Sequence, residues 1–484
     1  MNASGPSTAD VAIIGAGVVG TAIARTLACH DVSCVMIDGA NDVGTGSTKA
    51  NTAILHTGFD AVPGSLESRL LSRGSALLHD YADRAGIPVE RTGALLVAWT
   101  AEQEAALPGI ERKARQNSCA DVRRVSVDDL YRREPHLGPG AVGALEVPGE
   151  SIVCPWTTPL AYATEALAAG AGLRLRARVT GVRTEDGEHR LSTSTGEVRS
   201  RWVVNAAGLE SDRVDRMFGG EGFTITPRRG ELIVFDKLAR SLVGSILLPV
   251  PTARTKGVLV APTVHGNVLL GPTAEDVGDR RDTATTSAGL TGLLGAGRRI
   301  MPELVCEEVT AIYAGLRAAT EHQDYQIWAD EMRRYVCVGG IRSTGLSASL
   351  GIAEYVAGLL SDAGLPLADK PESGPPVMPY LGEGGTRPYA DAARVAADPE
   401  YGRIVCHCER VTRGEIRDAL ASPIPPADLD GLRRRTRVLN GRCQGFYCAA
   451  TVSALLGAAW GGRAPGPATP GESHAHSPAS AEPA

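Results

Sequence analysis

The chain has 484 residues, 43 % of them hydrophobic and 21 % charged, with a formal net charge of −6. The length exceeds one ordinary core and predicts two or three domains, and the composition is that of a soluble globular protein. The acidic balance excludes a nucleic-acid binder, because the one basic run, RRRTR at 433–437, is short and local.

The N-terminal stretch MNASGPSTAD is polar and leads directly into a strand, and no run of about 18 apolar residues follows anywhere. A cytoplasmic protein, at most peripheral to the membrane, is therefore expected, with its thiols reduced. Cys29, Cys34, Cys119, Cys154, Cys306 and Cys337 are scattered singly and read as packing residues.

The first element reads as strand, tight turn, helix, strand. Val11–Ile14 is an apolar run suited to a buried parallel strand, and Gly15, Gly17 and Gly20 follow with G-x-G-x-x-G spacing. The first glycine permits the turn, the second admits a pyrophosphate, and the third lets helix and strand pack closely. Asp38 ends the second strand, where a carboxylate would grip an adenosine ribose hydroxyl. In GTGSTKANTAILHTGFD, Gly46, Ser47, Thr48 and Asn51 supply small donors where backbone would meet an extended dinucleotide.

RWVVNAAG is a strand ending in Asn205-Ala206-Ala207-Gly208, and YVCVGGIRSTGLSAS is again strand, Gly-rich turn through Gly340, and helix. Two such elements at opposite ends of one domain suit a long bipartite ligand such as FAD. The helix beginning near Thr344–Ser347 would aim its positive end at the flavin pyrimidine.

Residues 9–362 resemble the D-amino-acid-oxidase superfamily of FAD enzymes and, within it, the FAD-dependent glycerol-3-phosphate dehydrogenases. The stretches that carry the resemblance are STKANTAILHTGFDAVPGSL, SIVCPWT, VVNAAG, TKGVLVAPTVHGNVLLGPTAED, YAGLRA and GIRSTGLSAS. L-2-hydroxyglutarate oxidases share the early stretch and the REPHL element, so that activity, or another FAD-dependent oxidation of a hydroxy acid or amine, is the alternative. The resemblance implies an α/β fold in which a Rossmann-type FAD domain interleaves with a mixed-sheet substrate domain.

It also implies site residues. His56 is the expected base, since imidazole can take a hydroxyl proton near neutral pH; a structural histidine bonded to backbone is the bland alternative. Arg317 is the expected anchor of a substrate anion and Lys256 a second one, with Arg342 and His265 ranked behind. Around the flavin the resemblance implies Val179, Ala207 and Gly208, then Gly340, Thr344, Gly345, Leu346 and Ser347.

Residues 363–400 are dense in Pro and Gly and read as an extended linker, and 463–484 as a disordered tail. Between them, at 401–460, Cys406 and Cys408 form a C-x-C pair, and Cys443 and Cys448 a C-x4-C pair, each followed by a helical pattern. Four thiolates suit a zinc ion or a [2Fe–2S] cluster, although C-x-C is tighter than most zinc pairs. CHCERVTRGEI and RTRVLNGRCQGFYC resemble the bacterioferritin-associated-ferredoxin-like [2Fe–2S] domain, which implies a small helical module passing flavin electrons singly to quinone or a partner protein. Arg433, Arg434, Arg435, Arg437 and Arg442 are expected to offset the cluster's negative charge. A redox-responsive interaction module with no catalytic role is the reading from another class.

Overall fold

The structure, a computed structural model, describes residues 6–251, 257–371 and 374–459. The elements that build the site are, in chain order, β1 (Thr8–Ile14), α1 (Val18–Ala28), β2 (Cys34–Ile37), β3 (Ile54–Leu55), α2 (Leu66–Ala85), β4 (Ser151–Val153) and β5 (Gly196–Asn205). There follow β6 (Thr226–Phe235), β7 (Val309–Ala319), β8 (Tyr335–Gly339), α3 (Gly345–Asp362), α4 (Arg413–Ala421), α5 (Leu429–Thr436) and α6 (Ala449–Ala459).

β1 lies between parallel β2 and β5. Val11 and Ile13 face one core, and Ala12 and Ile14 the other. Burial on both faces is why this segment is continuously apolar rather than alternating. β5 is long enough to serve two further partners beside β1: its first half pairs antiparallel with Glu188–Thr193, and Val203–Asn205 pair parallel with β8. Both Gly-rich turns thus open at the same end of one sheet, the usual ligand crevice of a doubly wound fold.

Among the described residues a second sheet has nine strands. Its longest ladder is the antiparallel pair β6–β7, in which Arg228 faces Arg317 and Gly230 faces Gly315. A third, small sheet pairs β3 antiparallel with β4, Leu55 opposite Ser151. The mixed α/β architecture matches the expected fold class.

The C-terminal module is a hairpin, Ile404–Cys406 with Val411–Thr412, followed by α4, α5 and α6 around their own core of Ile416, Leu432, Val438 and Val452. α4 begins at a reciprocal capping box between Thr412 and Glu415, the start signal its sequence carries.

The Pro- and Gly-rich stretch is not a free spacer. Leu365 and Leu381 are buried, the Met378 N–H donates to Ala85 O at 2.8 Å, and buried Arg387 pairs with Glu415 at 3.1 Å. Short helical turns occupy Pro388–Ala390, Ala392–Ala397 and Pro399–Gly402. The composition forbids long regular elements but leaves apolar anchors free to pack. Among the described residues no helix is long and apolar enough to cross a membrane, and the tail at 463–484 lies outside them.

Candidate active site and cluster site

Where the two large sheets meet, a cavity of 920 Å³ runs from the first glycine turn to the β6–β7 ladder. That is the upper end of the size range for small-molecule sites and suits a dinucleotide with a substrate beside it. Gly15 (φ +112°) is wedged against β5: a Cβ there would stand 2.3 Å from Ala206 O. A Cβ at Gly20 would stand 2.0 Å from Gly15 O, whereas one at Gly17 would meet only Thr48 Oγ1, at 3.4 Å. The first and third glycines therefore close the packing, and the second leaves its approach face open to a ligand. The N-cap residues of α1 and α3 make no side-chain cap bond, and neither first turn holds an acid, so neither helix neutralises its own positive end. These features fit FAD.

Asp38 lines the cavity, but its carboxylate also holds the turn, accepting from Ala16 N at 2.7 Å and Ala40 N at 2.8 Å. Burial pushes its pKa up despite those donors. Ser47, Thr48 and Asn51 line the wall too, with their side chains engaged inside the protein. Ser47 Oγ donates to Leu316 O at 2.6 Å, Thr48 Oγ1 accepts from Val18 N, and Asn51 Nδ2 donates to Thr48 O. The side chains expected as small donors to a dinucleotide thus also brace the wall. Val179, Ala207, Gly208, Gly340, Gly345 and Leu346 also face the cavity. Thr344 and Ser347 stand behind it, Thr344 bonded to Tyr325 and Glu67, and Ser347 Oγ accepting from His56 N at 2.8 Å.

His56 lies on the wall immediately after β3. Its Nδ1 is 2.8 Å from Oε2 of Glu150, a carboxylate with no solvent exposure. Sequence reasoning missed Glu150. It precedes β4 by one residue and meets His56 only because the β3–β4 register sets them opposite each other.

Arg317, on β7, reaches the same cavity. Its guanidinium makes only two long contacts, at 3.4 Å, to Thr273 O, and no carboxylate pairs with it among the described residues. Burial, and then the nearby Arg228, push its pKa down. Two other cavity arginines are committed to carboxylates: Arg228 to Asp276 at 2.6 and 2.9 Å, and Arg280 to Asp212 at 2.5 and 2.7 Å. Arg342 is bonded to Gln323 O. Gly230 gives Arg317 its room, since a Cβ there would stand 2.8 Å from Nη2. A glycine in the interior of a strand was the available signal for such a close approach.

Lys256 lies outside the described residues. His265 is removed from the chemistry. It is buried, absent from the cavity wall, stacked on Trp156 at 5.2 Å and bonded to Leu381 O. Burial, and then Arg437, hold its pKa well below the usual value, so it fits a neutral packing group and not an alternative base.

The four C-terminal cysteines come together from two turns. Cys408 and Cys443 interact through their side chains, as do Cys406 and Cys448. Backbone donors of Tyr447, Gly445 and Phe446 surround the Cys443 sulfur and lower its pKa. Gly441 lets the turns approach, because a Cβ there would lie 2.2 Å from Cys408 Cβ. Among the described residues no three ligand side chains converge on one ion position. Two thiol pairs fit a two-iron cluster, two thiolates to each iron.

Arg442 interacts electrostatically with Cys408, and all five arginines expected to neutralise the cluster also have acid neighbours. Arg434 and Arg435 bind Asp42 at 2.6 and 2.7 Å, and Arg437 binds Glu409 at 2.9 Å. Arg442 binds Asp236 at 2.5 Å, and Arg433 faces Asp430 at 3.7 Å. Asp42 and Asp236 belong to the body that precedes the module, so Arg434, Arg435 and Arg442 dock the module, whereas Arg433 and Arg437 pair with acids inside it.

Fold, cavity and thiol pairs define a flavoprotein oxidoreductase with an iron–sulfur appendage. The chain belongs to the FAD dependent oxidoreductase family (DAO), which it matches over residues 10–359, and it carries a BFD-like [2Fe–2S] binding domain at 404–458. It is 34 % identical to a glycerol 3-phosphate dehydrogenase of Caloramator mitchellensis, over 92 % of this chain and 93 % of that one. Similarity to bovine mitochondrial L-2-hydroxyglutarate dehydrogenase is 30 % over 55 % of this chain and 61 % of that one. Among solved structures, the FAD-bound, dithionite-reduced L-α-glycerophosphate oxidase of Mycoplasma pneumoniae superposes with a TM-score of 0.71 at 26 % identity, covering 76 % of this chain and 97 % of that one.

Proposed function

We propose that the chain oxidises sn-glycerol 3-phosphate to dihydroxyacetone phosphate and passes the electrons through its [2Fe–2S] domain to quinone or an electron-transfer protein. The observation that carries the substrate assignment is Arg317, a desolvated guanidinium with no acid partner among the described residues, in the same cavity as His56. An unpaired buried charge is costly, and a substrate anion removes that cost. The relatives named for glycerol 3-phosphate and glycerophosphate support the phosphate as that anion.

FAD, when bound, supplies the acceptor for the hydride of the carbinol carbon. Gly15, Gly17, Gly20 and the N-terminus of α1 would hold its pyrophosphate, Asp38 its ribose, and Ser47, Thr48, Asn51, Val179, Ala207 and Gly208 its flanks. Gly340, Gly345 and Leu346, with the N-terminus of α3, would face the ring's electron-rich end, braced from behind by Thr344 and Ser347. His56 takes the hydroxyl proton at Nε2. Arg317 fixes the phosphate and so the carbinol hydrogen, with Lys256 as a second anchor. Cys406, Cys408, Cys443 and Cys448 hold the cluster.

A carboxylate would satisfy Arg317 equally well, so oxidation of L-2-hydroxyglutarate is the second reading, favoured by the similarity to its dehydrogenases. Arg317→Ala separates roles. It should lower kcat/KM for glycerol 3-phosphate by about 2–4 kcal/mol while leaving the poor substrate glycerol nearly unaffected. Equal losses for both would assign Arg317 to the fold. Flavin bleaching by L-2-hydroxyglutarate alone would assign it to a carboxylate.

A further inference from the structure

We infer that Glu150 is a positioning residue for the proton transfer: it fixes the His56 imidazole in the tautomer that carries hydrogen on Nδ1 and leaves Nε2 able to accept. This rests on the reading of His56 as the proton acceptor.

The geometry comes from the chain's own pairing. β3 runs antiparallel to β4 with Ile54 opposite Ile152 and Leu55 opposite Ser151, so the next pair outward is His56 and Glu150. The Glu150 backbone is held at both ends, its N–H donating to Val147 O at 3.3 Å and its carbonyl accepting from Gly93 N at 2.9 Å. Its carboxylate is wholly buried and receives three hydrogen bonds. Oε1 accepts from Thr57 N at 2.7 Å and from Thr57 Oγ1 at 2.9 Å, and Oε2 lies 2.8 Å from His56 Nδ1. The His56 N–H is meanwhile tied to Ser347 Oγ at 2.8 Å, at the start of α3. Ring and carboxylate are therefore both fixed relative to the helix that faces the cavity.

A carboxylate offers acceptors only, so the neutral ring bonded to it must place its hydrogen on Nδ1. The Nε2 lone pair is then the ring's remaining acceptor. When Nε2 takes a proton from the substrate hydroxyl, the imidazolium that forms is stabilised by the adjacent carboxylate, and no further proton transfer is needed. A buried carboxylate 2.8 Å from a ring nitrogen also accounts for a charge that the fold would otherwise carry at a cost without use.

Glu150→Gln tests this sharply, because the new amide cannot be placed freely. The Thr57 N–H is an obligatory donor, so the amide oxygen must remain at the Oε1 position and the NH₂ must face His56 Nδ1. A ring bonded to that NH₂ must accept at Nδ1 and carry its hydrogen on Nε2, the wrong tautomer for a base. The shape of the site is otherwise retained.

The experiment uses FAD-loaded full-length chain, with ¹⁵N-histidine labelling and the His56 signals identified by their loss in His56→Ala. Wild type should show neutral His56 protonated on Nδ1, and Glu150→Gln should show it protonated on Nε2. The same variant should reduce its flavin with glycerol 3-phosphate about 10²-fold more slowly or worse, with KM moving less than about threefold. Adding Glu150→Gln to His56→Ala should cost nothing further, since the two act as one unit. An Nε2-protonated His56 in wild type overturns the inference without any variant having to fold. So does a Glu150→Gln enzyme that reduces its flavin at the wild-type rate while His56→Ala is slow. Wild-type rates in His56→Ala would instead remove the base assignment itself.

Discussion

Asp42→Ala should loosen the iron–sulfur module from the flavin-side body while leaving both folded. Asp42 is 1 % exposed and accepts three guanidinium hydrogen bonds, from Arg434 at 2.6 Å and from Arg435 at 2.7 and 2.7 Å. The Arg435 side chain is 5 % exposed, so deletion of the acid leaves a buried cation without its counter-charge. Breaking such a pair costs about 3–5 kcal/mol, with no discount for solvent screening at this depth. That corresponds to roughly a 10²–10⁴-fold rise in the population of opened α5. Amide hydrogen exchange reads it directly: α5 should lose about 10²–10⁴-fold of protection, while α1 and β1 keep theirs. Unchanged protection across α5 would refute the view that this ion pair carries the docking. The pH dependence has a fixed sign. Burial raises the Asp42 pKa, but Arg435 and Arg434 outweigh it and the folded value lies below the ordinary one. The clamp is therefore complete above the ordinary carboxyl pKa of about 3.9 and is lost only as pH falls through the lower folded value. Protection of α5 should hold from pH 8 to about 5 and fall below about 4.

The glycine turn yields a contrast: Gly20→Ala should lower the melting temperature of FAD-free protein, because its Cβ would stand 2.0 Å from Gly15 O. Gly17→Ala should leave that temperature within a few degrees and weaken FAD binding, read by flavin fluorescence; equal effects would dissolve the distinction. Cys408→Ser should lower iron from about two per chain while FAD content and substrate-driven flavin bleaching persist. Stoichiometric zinc without sulfide in the wild type would contradict the cluster. His56→Ala should slow flavin reduction about 10²-fold or more with FAD retained, and undiminished stopped-flow rates would move the base elsewhere.

What was legible in the sequence was local. Gly15, Gly17, Gly20 and Asp38 are spaced by one turn and one helix, and the cysteines by two tight turns, so backbone geometry links them without knowledge of the fold. Thr412 and Glu415 announced α4 in the same way. What was not legible depends on distant register. Glu150 is 94 residues from His56, and Arg435 is 393 from Asp42. No periodicity joins such pairs, so the docking role of Arg434 and Arg435, within an arginine run beside cysteines, could not be read from the sequence. The Pro- and Gly-rich stretch misled for a related reason: composition reports the absence of regular elements, not the burial of Leu381 or Arg387.

The central claim is tested most directly by adding glycerol 3-phosphate anaerobically to the full-length protein loaded with FAD and iron–sulfur cluster, while following flavin absorbance and the cluster's paramagnetic signal together. The account predicts that glycerol 3-phosphate bleaches the flavin and that the reduced-cluster signal grows in the same sample, with L-2-hydroxyglutarate producing neither. Flavin that stays oxidised with glycerol 3-phosphate, or bleaches while the cluster remains oxidised with no acceptor present, would contradict it.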